Sequence, residues 1–537
     1  MKKTTDVWQK YLNGQAFKNQ INLYNTVDEN WRFYEGDQWR GCKAPNLPMP
    51  VFNFIKPACR FMTVQIKDRK LALKYKAEGE REDIAALLSQ MDEYARRTWD
   101  RLNMESKNLE GLTDAFNTGD YILYHYWNDE IDTGQPFMGD VDNEIIDNVN
   151  YYPGNPNSAD VQSQPYIIIR TRRMVEEVRE MAKQNGLSKR EIEMIVPDED
   201  TTYLSGDAAK IELVGGKKCN LLIYMYKKGE GPDRQVYFSK HTQFVTVQPE
   251  KPAKLKLYPI CMMNWLPRKN CCHGVAETTY LKPNQVYLNK QMAYTQLWLM
   301  QAAYPKVIYD RAALPDGWSN KVASAIGVNR SGGAVTDVAH YMQVPPLPSD
   351  VWVSFDRTLS KTMELMGVND VAMGNIPNPV NRSAFIAVRD AAIVPLESQQ
   401  QRFFKMMRDM GLIWLDFWIN HYPAERGIPI ATAEGEKIVP FNLSDYADLP
   451  FDTQVQVGQS QMWNEFSTIQ TLDNLLMQGK ITMSQYLERM PEGYIPDKEK
   501  LLEEIKQAEL QQQQLQDAMA EAQALQAEAT PVLPEGA

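Results

Sequence analysis

Histidine is scarce in this sequence, and the common catalytic motifs are missing. The five histidines, at positions 125, 241, 273, 340 and 421, form neither an HExxH pattern nor a recognisable triad pattern. No G-x-x-x-x-G-K-[ST] loop occurs, because Gly216-Lys217 lacks the upstream glycine. These absences argue against an ATPase, and an enzyme of any kind is not the expected function. We predict no catalytic residues and no cofactor.

Cysteine is also rare, with six residues at positions 42, 59, 219, 261, 271 and 272. Cys261, Cys271, Cys272 and His273 lie near one another in the chain and could suggest a metal. A zinc site needs four ligands, usually as two short-spaced pairs, and no second pair exists. We therefore expect these four side chains to be packing residues, and we predict no metal site.

One carboxylate cluster has the composition that two-metal nucleases use. It comprises Asp140, Asp142, Glu144 and Asp147. The simpler interpretation, which we favour, is the solvated edge of a strand. A metal-dependent nuclease that uses the carboxylates near Asp142 is one alternative function, and a monomeric α/β interaction protein is another.

The sequence has no excess of basic residues. It contains 58 Lys and Arg against 69 Asp and Glu, which gives a net charge of −11 and a pI of about 5.3. A protein that coats nucleic acid would usually be basic, so this class is not favoured. An acidic lumen would repel phosphate and let DNA slide, so the charge is compatible with a protein that surrounds DNA without gripping it.

Long apolar runs are missing too. The best candidate for a membrane span, residues 410–419, is short and contains Asp416. The segment Met1-Lys2-Lys3-Thr4-Thr5-Asp6 leads into polar sequence without an apolar core, so no secretory signal is expected. We predict no membrane association, and assembly in a cytoplasm that keeps the thiols reduced.

The residues that are present indicate a folded protein with several regions. The hydrophobic content is 43% and the aromatic content 10%, and 537 residues exceed one typical core. Helical and strand patterns alternate through the first 275 residues. The predicted helices are 4–39, 83–118 and 174–184, and the predicted strands are 120–127, 141–149, 165–173, 211–214, 219–227 and 235–247.

Two apolar helical patterns then flank a compact insertion. Residues 284–304 have Lys290 as their only charge, and Pro283 stands near the first helical position, where proline is favoured. Such a helix is about 30 Å long at about 1.5 Å per residue, and it suits packing against copies of itself. Residues 349–367 form the second pattern, and 305–348 are the insertion between them.

The chain is organised around residues 351–422, where two helical patterns flank a loop at 373–382. The loop holds one glycine, two prolines and three asparagines, so neither helix can continue through it. Pro395 should kink or break the second helix. That helix then carries a broad apolar stripe, which predicts burial on more than one side. The stripe comprises Phe403, Met407, Met410, Trp414 and Phe417.

The last part of the chain is predicted to be mainly helical. Residues 428–452 are extended and interrupted by proline, and 459–490 carry one or two helices. Residues 497–529 form a last helix with a weak heptad pattern, which is typical of a self-associating helix.

The order of these elements resembles the portal proteins of tailed bacteriophages. The resemblance rests on three groups of residues: Val368-Asn369-Asp370-Val371-Ala372-Met373-Gly374, Asn381-Arg382-Ser383-Ala384 and Pro395-Leu396 before the long helix; Phe33-Tyr34-Glu35-Gly36-Asp37-Gln38-Trp39 and Pro50-Val51-Phe52-Asn53-Phe54-Ile55-Lys56-Pro57; and Asn150-Tyr151-Tyr152-Pro153-Gly154 with Asn157-Ser158-Ala159-Asp160. Gly154 stands where the family often has Asp.

The resemblance implies an α+β subunit with the regions of a portal protein. These are a mixed α/β wing (1–275), a stem helix (276–304), a clip (305–348), a second stem helix (349–372), a tunnel loop (373–382), a long wing helix with its connection (383–455) and a helical crown (456–537).

It also implies a structural, non-enzymatic function in the virion. Portal subunits form a dodecameric ring at one capsid vertex, through which double-stranded DNA enters and leaves. The implied partners are the terminase large subunit, the major capsid and scaffold proteins, and the head-completion and tail adaptor proteins. The implied place of assembly is the cytoplasm of the host bacterium.

Two sets of candidate site residues follow from the resemblance. The first lines the DNA channel from the tunnel loop: Met373, Gly374, Asn375, Ile376, Pro377, Asn378, Pro379, Asn381 and Arg382. The second binds partner proteins from the clip: Asp310, Arg311, Asp316, Trp318, Lys321 and Arg330. The loop residues could instead only form turns, and the clip residues could instead pack against the neighbouring subunit.

Overall fold

The structure is a computed structural model that describes most of the chain. The described residues are 2–43, 47–67, 69–77, 82–132, 137–198, 200, 217–314, 317, 327–329, 332, 334, 338–367, 394–422, 427–432, 435–440, 451–460, 469, 471–490, 501–502 and 505–506. The chain divides into two compact units. The first comprises Met1–Lys67 and Ala72–Gln456, and the second Asp68–Leu71 and Val457–Ala537.

Five helices precede the main sheets. They are α1 (Lys2–Gln20), α2 (Leu23–Glu35), α3 (Ile55–Lys67), α4 (Glu82–Arg101) and α5 (Met104–Thr118). The continuous helix predicted for 83–118 is wrong, because Asn103 takes a left-handed conformation with φ of 50° and separates α4 from α5. Asparagine adopts this conformation more readily than other residues with a side chain. Asn22 separates α1 from α2 in the same way, with φ of 57°.

Two antiparallel sheets form the β part of the first unit. One has the strand order β3 (Met138–Ile145), β2 (Asp120–Asp132) and β9 (Ile260–Asn264). The other has the order β4 (Tyr151–Pro153), β5 (Ile167–Met174), β6 (Lys218–Lys228), β7 (Gln235–His241) and β8 (Thr246–Pro252). Helix α6 (Val175–Gln184) and the short α7 (Lys189–Glu193) follow β5. The predicted strand 211–214 lies outside the described residues.

Three long helices follow the sheets. They are α8 (Glu277–Ala303), α9 (Asp350–Leu365) and α10 (Glu397–His421). Because α8 begins at Glu277, Pro283 lies inside the helix and not near its first position, which corrects the prediction. A proline there leaves one backbone carbonyl of the preceding turn without its intrahelical donor.

Helix α10 runs through the core of the first unit. Phe403, Met407, Met410, Trp414 and Phe417 are all buried, as their spacing predicted. Trp418 is buried as well and packs against the rings of Tyr75 and Tyr94. A short 3-10 helix, Val394–Leu396, precedes α10 and contains Pro395, so the helix begins only after the proline.

The remaining strands pair in twos. They are β1 (Arg69–Ala77) with β14 (Phe451–Ser460), β10 (Val307–Tyr309) with β11 (Ala339–Tyr341), and β12 (Gly427–Thr432) with β13 (Gly435–Pro440). Within the second unit, helix α11 (Met483–Arg489) begins with a capping box between Thr482 and Gln485. A small apolar cluster around Leu472 and Leu487 forms a core in the second unit. This mixture of helices and sheets agrees with the predicted α+β class.

Candidate functional site

Polar contacts join the helices α8 and α9 along their length. Asn284 donates to the Thr362 hydroxyl over 3.0 Å, and Gln291 donates to the Ser354 hydroxyl over 3.1 Å. The residue number rises on one helix as it falls on the other, so the two helices are antiparallel. Ser and Thr are small, and they let the two backbones lie close together.

Buried amides attach the first half of α8 to the extended segment before α3. The Gln285 amide accepts a hydrogen bond from the Phe54 backbone N–H over 3.1 Å and donates to the Phe52 carbonyl over 2.7 Å. The Asn289 side chain accepts from the Phe52 N–H over 3.0 Å. Because both amides are buried, their loss would leave backbone groups without partners. This half of α8 is therefore held firmly.

The face of α8 opposite Gln285 and Asn289 carries exposed tyrosines at intervals of seven residues, and the hydroxyl of the middle one, Tyr287, lies 3.5 Å from the Ser354 hydroxyl of α9. Tyr280 is 60% exposed, Tyr287 47% and Tyr294 65%. The same face holds Lys290, which is exposed and lies between the last two tyrosines in the sequence. A repeat of seven keeps side chains on one stripe of a helix. Aromatic residues are enriched in protein interfaces, so this stripe has the composition of an assembly surface.

The far end of the helix pair is also apolar and exposed. Leu299 and Met300 in the last turns of α8, and Tyr304 directly after the helix, are each more than half exposed. On α9, Val353 is 63% exposed and Trp352 lies beside it in the sequence. Exposed apolar surface of this extent commonly marks a contact with another protein.

The structure describes only two of the six candidate clip residues. Asp310 and Arg311 lie directly after β10 and are exposed. The Asp310 carboxylate accepts a hydrogen bond from the Ala312 N–H over 2.9 Å and so shapes a local turn. Asp316, Trp318, Lys321 and Arg330 lie outside the described residues. A small core of Ala313, Leu314 and Val338 lies beneath the strand pair.

The tunnel-loop candidates, residues 373–382, all lie outside the described residues. The described chain stops at Gly367 and resumes at Val394. Their role therefore stays a prediction.

Asp140 of the carboxylate cluster is buried, so the predicted solvated strand edge is wrong at this position. Its carboxylate accepts hydrogen bonds from the hydroxyls of Tyr422 and Tyr94 and lies 3.3 Å from the Arg101 guanidinium. The Asp142 carboxylate is engaged by Tyr126 and Asn128 at 3.3 and 3.2 Å. Asp140 therefore joins α4 to the residue that follows α10, and Asp142 joins β3 to β2.

A second buried polar group, centred on Asp120, was not predicted. The Asp120 carboxylate lies 2.7 Å from His273 Nδ1 and accepts hydrogen bonds from the side chains of Asn264 and Asn148 and the N–H of Gly274. The nearby Lys18 ammonium is fully buried, donates to the Asn148 carbonyl over 2.7 Å and lies 3.7 Å from the centre of the Tyr152 ring. Burial lowers the pKa of Lys18 well below its usual range.

The four residues first considered as metal ligands are buried, as expected for packing residues. Contact with the Cys271 thiol, together with burial, raises the pKa of Cys272. The Cys261 sulfur instead lies 3.6 Å from the His125 ring. Across the part of the chain that the structure describes, no three His, Cys, Asp or Glu side chains are arranged to hold a metal ion.

None of the helices in the described ranges is both long and apolar enough to cross a bilayer.

Comparison with known proteins assigns the chain to a class of virus structural proteins. Residues 171–531 match the family of phage P22-like portal proteins. Because the match covers more than half of the chain, the chain belongs to this family and is a bacteriophage portal protein. No curated protein sequence matches it. The resemblance inferred from the sequence is confirmed, while the motifs before residue 171 lie outside the matched range.

Proposed function

We propose that this chain is the subunit of a closed ring at one vertex of the phage capsid. Membership of the portal family supports oligomeric assembly with capsid components and a place at the capsid vertex. The observation that carries the proposal is the tyrosine stripe of α8, because Tyr280 and Tyr294 are mostly exposed in the single chain. In a ring, a neighbouring copy covers this stripe. Heterologous contacts of this kind produce rings when the rotation closes.

The stripe is tested by removing its aromatic surface. A variant with Tyr280→Ser and Tyr294→Ser should form far fewer rings, since two large side chains leave the interface. Phe244→Ser is the matched control, because Phe244 is also an exposed aromatic residue (47%) but lies between β7 and β8. The control should assemble normally. Equal ring yields in the two variants would show that the stripe is not an assembly surface.

The proposed ring contains twelve copies and encloses a channel for packaging and ejection of double-stranded DNA. The net charge of −11 supports a surface that lets DNA slide. In this proposal Arg382 is one of the few basic groups near the DNA, and the tunnel loop makes weak contacts that salt screens. Weak contacts suit a guide, because a tight grip would stall movement.

Deletion of residues 376–380 tests the role of the tunnel loop. Rings should still form and bind terminase, while packaging or retention of DNA is impaired. The measurement compares ring formation, terminase binding and packaged DNA length with those of the intact protein. Full-length genomes that are stably retained by the deletion variant would show that the loop is only a turn.

We further propose that the clip docks the terminase large subunit and later the head-completion and tail adaptor proteins. The insertion has its own small core between the two stem helices, which supports a separate module. Replacement of Trp318 and Arg330 with Ala should weaken terminase binding while rings persist. Loss of the rings would instead assign these residues to packing between subunits.

The two alternative functions have less support. A nuclease would need carboxylates that are free to bind metal ions, whereas Asp140 and Asp142 are engaged by neighbouring side chains. A monomeric interaction protein would leave the stripe of α8 in solvent. Incubation of the protein with plasmid and Mg²⁺ or Mn²⁺ distinguishes a nuclease from a portal by the presence of cleaved DNA.

A further inference from the structure

The exposed faces of α8 and α9 carry a complementary pair of charges. Lys290 is the only charged residue of α8 that follows Lys282 in the sequence, and it is exposed. Asp356 is an exposed acid on α9. Among the described residues, neither forms a hydrogen bond or an ion pair, whereas the nearby Lys361 and Glu364 on α9 pair with each other over 2.5 Å. Lys290 and Asp356 therefore both present a charge without an ion-pair partner among the described residues, and Arg357 is exposed beside Asp356 in the sequence.

The contacts between the helices fix the level of each residue along the pair. Asn284 is level with Thr362, and Gln291 is level with Ser354. In an antiparallel pair the two residue numbers at one level have a constant sum. On this register Lys290 is level with residues 355 and 356, so Lys290 and Asp356 lie at nearly the same height.

Ring symmetry preserves this shared height between copies. A rotation about the ring axis moves every residue to the neighbouring copy without changing its height. Where the helix pair runs along the axis, the exposed face of α8 in one copy then meets the exposed face of α9 in the next, with Lys290 and Asp356 at one level.

We propose that Lys290 of each subunit forms an ion pair with Asp356 of the neighbouring subunit, beside the tyrosine stripe. This inference rests on the proposed ring, and it names the partner surface of α8. The partner is a second copy of this chain, and its contribution is the outer face of α9. The tyrosines supply apolar contact area, while the charge pair fixes the height at which two copies meet, since like charges at the wrong register repel.

The proposal is tested by exchanging the two charges. Lys290→Glu and Asp356→Lys should each weaken the association of subunits about fivefold or more, which corresponds to about 1 kcal/mol for an exposed ion pair. The double variant restores opposite charges and should recover most of the lost ring fraction. Lys361→Glu and Glu364→Lys are controls for net charge, because they change the charge of the chain by the same amounts as Lys290→Glu and Asp356→Lys. Both controls should assemble like the unchanged chain.

Ring fraction against protein concentration, measured by single-molecule mass, gives the result for every variant. Circular dichroism shows that each one is folded, and Lys290→Gln gives a milder loss in case Lys290→Glu disturbs α8. Rings that tolerate both single reversals, or a double variant no better than the singles, would overturn the ion pair and leave the ring itself intact. A monomeric unchanged chain would overturn the proposed ring together with this inference.

Discussion

Asp120 and His273 are 153 residues apart in the sequence, yet Oδ2 of Asp120 lies 2.7 Å from Nδ1 of His273 in the buried interior. Asp120 begins β2, and His273 lies between β9 and α8, so this contact joins the three-stranded sheet to the start of α8. The carboxylate also binds Asn264 and Asn148. It therefore organises the point from which α8 departs.

Asp120→Ala should lower the free energy of local unfolding by about 3–5 kcal/mol, because it leaves several buried donors without an acceptor. Native-state hydrogen exchange of the β2 and β9 amides measures this free energy. Asp6→Ala is the control, since Asp6 forms an exposed pair with Lys10 on α1 and should change stability by less than about 1 kcal/mol. A loss below 1 kcal/mol in Asp120→Ala would contradict the role assigned to this carboxylate.

Asp416 should give the protein a contribution to stability that increases at lower pH. Its carboxylate on α10 accepts the N–H groups of Lys256 and Leu257 at 2.7 and 2.9 Å, and burial raises its pKa to about 6. The folded state thus binds a proton more tightly than the unfolded state, whose pKa is near 3.8. This group therefore favours folding more strongly as the pH falls from about 6 to about 4.

Thermal unfolding of the unchanged chain and Asp416→Asn from pH 4 to pH 7 tests this sign. The stability of the unchanged chain relative to the variant should rise as the pH falls below 6. Curves that stay parallel would show that Asp416 has an ordinary pKa.

His125 should make the protein less stable at lower pH, which is the opposite of the effect of Asp416. It lies between Trp414 and Cys261, and burial lowers its pKa to about 3. The folded state keeps the His125 ring neutral, while the same ring in the unfolded chain takes up a proton below about pH 6.5. His125 therefore makes the protein less stable as the pH falls from 6.5 towards 3. In the His125→Gln variant the loss of stability between pH 6.5 and pH 3 should be smaller. Unfolding measured at each pH gives this loss for both proteins. The same pH dependence in both would contradict the role assigned to His125.

Gly119→Ala should destabilise the protein more than Gly186→Ala, although both glycines have positive φ, 100° and 77°. A Cβ on Gly119 would lie 2.6 Å from the backbone oxygen of Gly274, whereas a Cβ on Gly186 would meet nothing within 4 Å. Gly186→Ala should cost only the strain of the left-handed conformation, about 1–2 kcal/mol, and Gly119→Ala more than that. Unfolding midpoints of the two variants make the comparison, and equal midpoints would contradict it.

The sequence predicted those features that depend on a local pattern. The spacing of Phe403, Met407 and Trp414 predicted the burial of α10, because a broad apolar stripe on a helix must be covered. The predicted end of a helix at residue 118 also agrees with the structure, where α5 ends at Thr118 and Gly119 follows with positive φ, as a glycine after a helix readily does.

Features that depend on distant residues were missed. Lys18 has the sequence context of an exposed residue on α1, yet Asn148 and Tyr152, more than a hundred positions later, bury its ammonium. Asp140 was expected in solvent because nothing near it in the sequence indicates that Tyr94 and Tyr422 converge on its carboxylate. Tyr280 precedes the predicted helix 284–304, and only the fold places it with Tyr287 and Tyr294 on one exposed stripe of α8.

The mass and projection image of the purified chain test the central claim most directly. We expect closed rings with twelve times the 61.7 kDa mass of one subunit, visible by negative-stain electron microscopy as annular particles with a central channel. Compact particles of 61.7 kDa alone, persisting at high protein concentration, would contradict it.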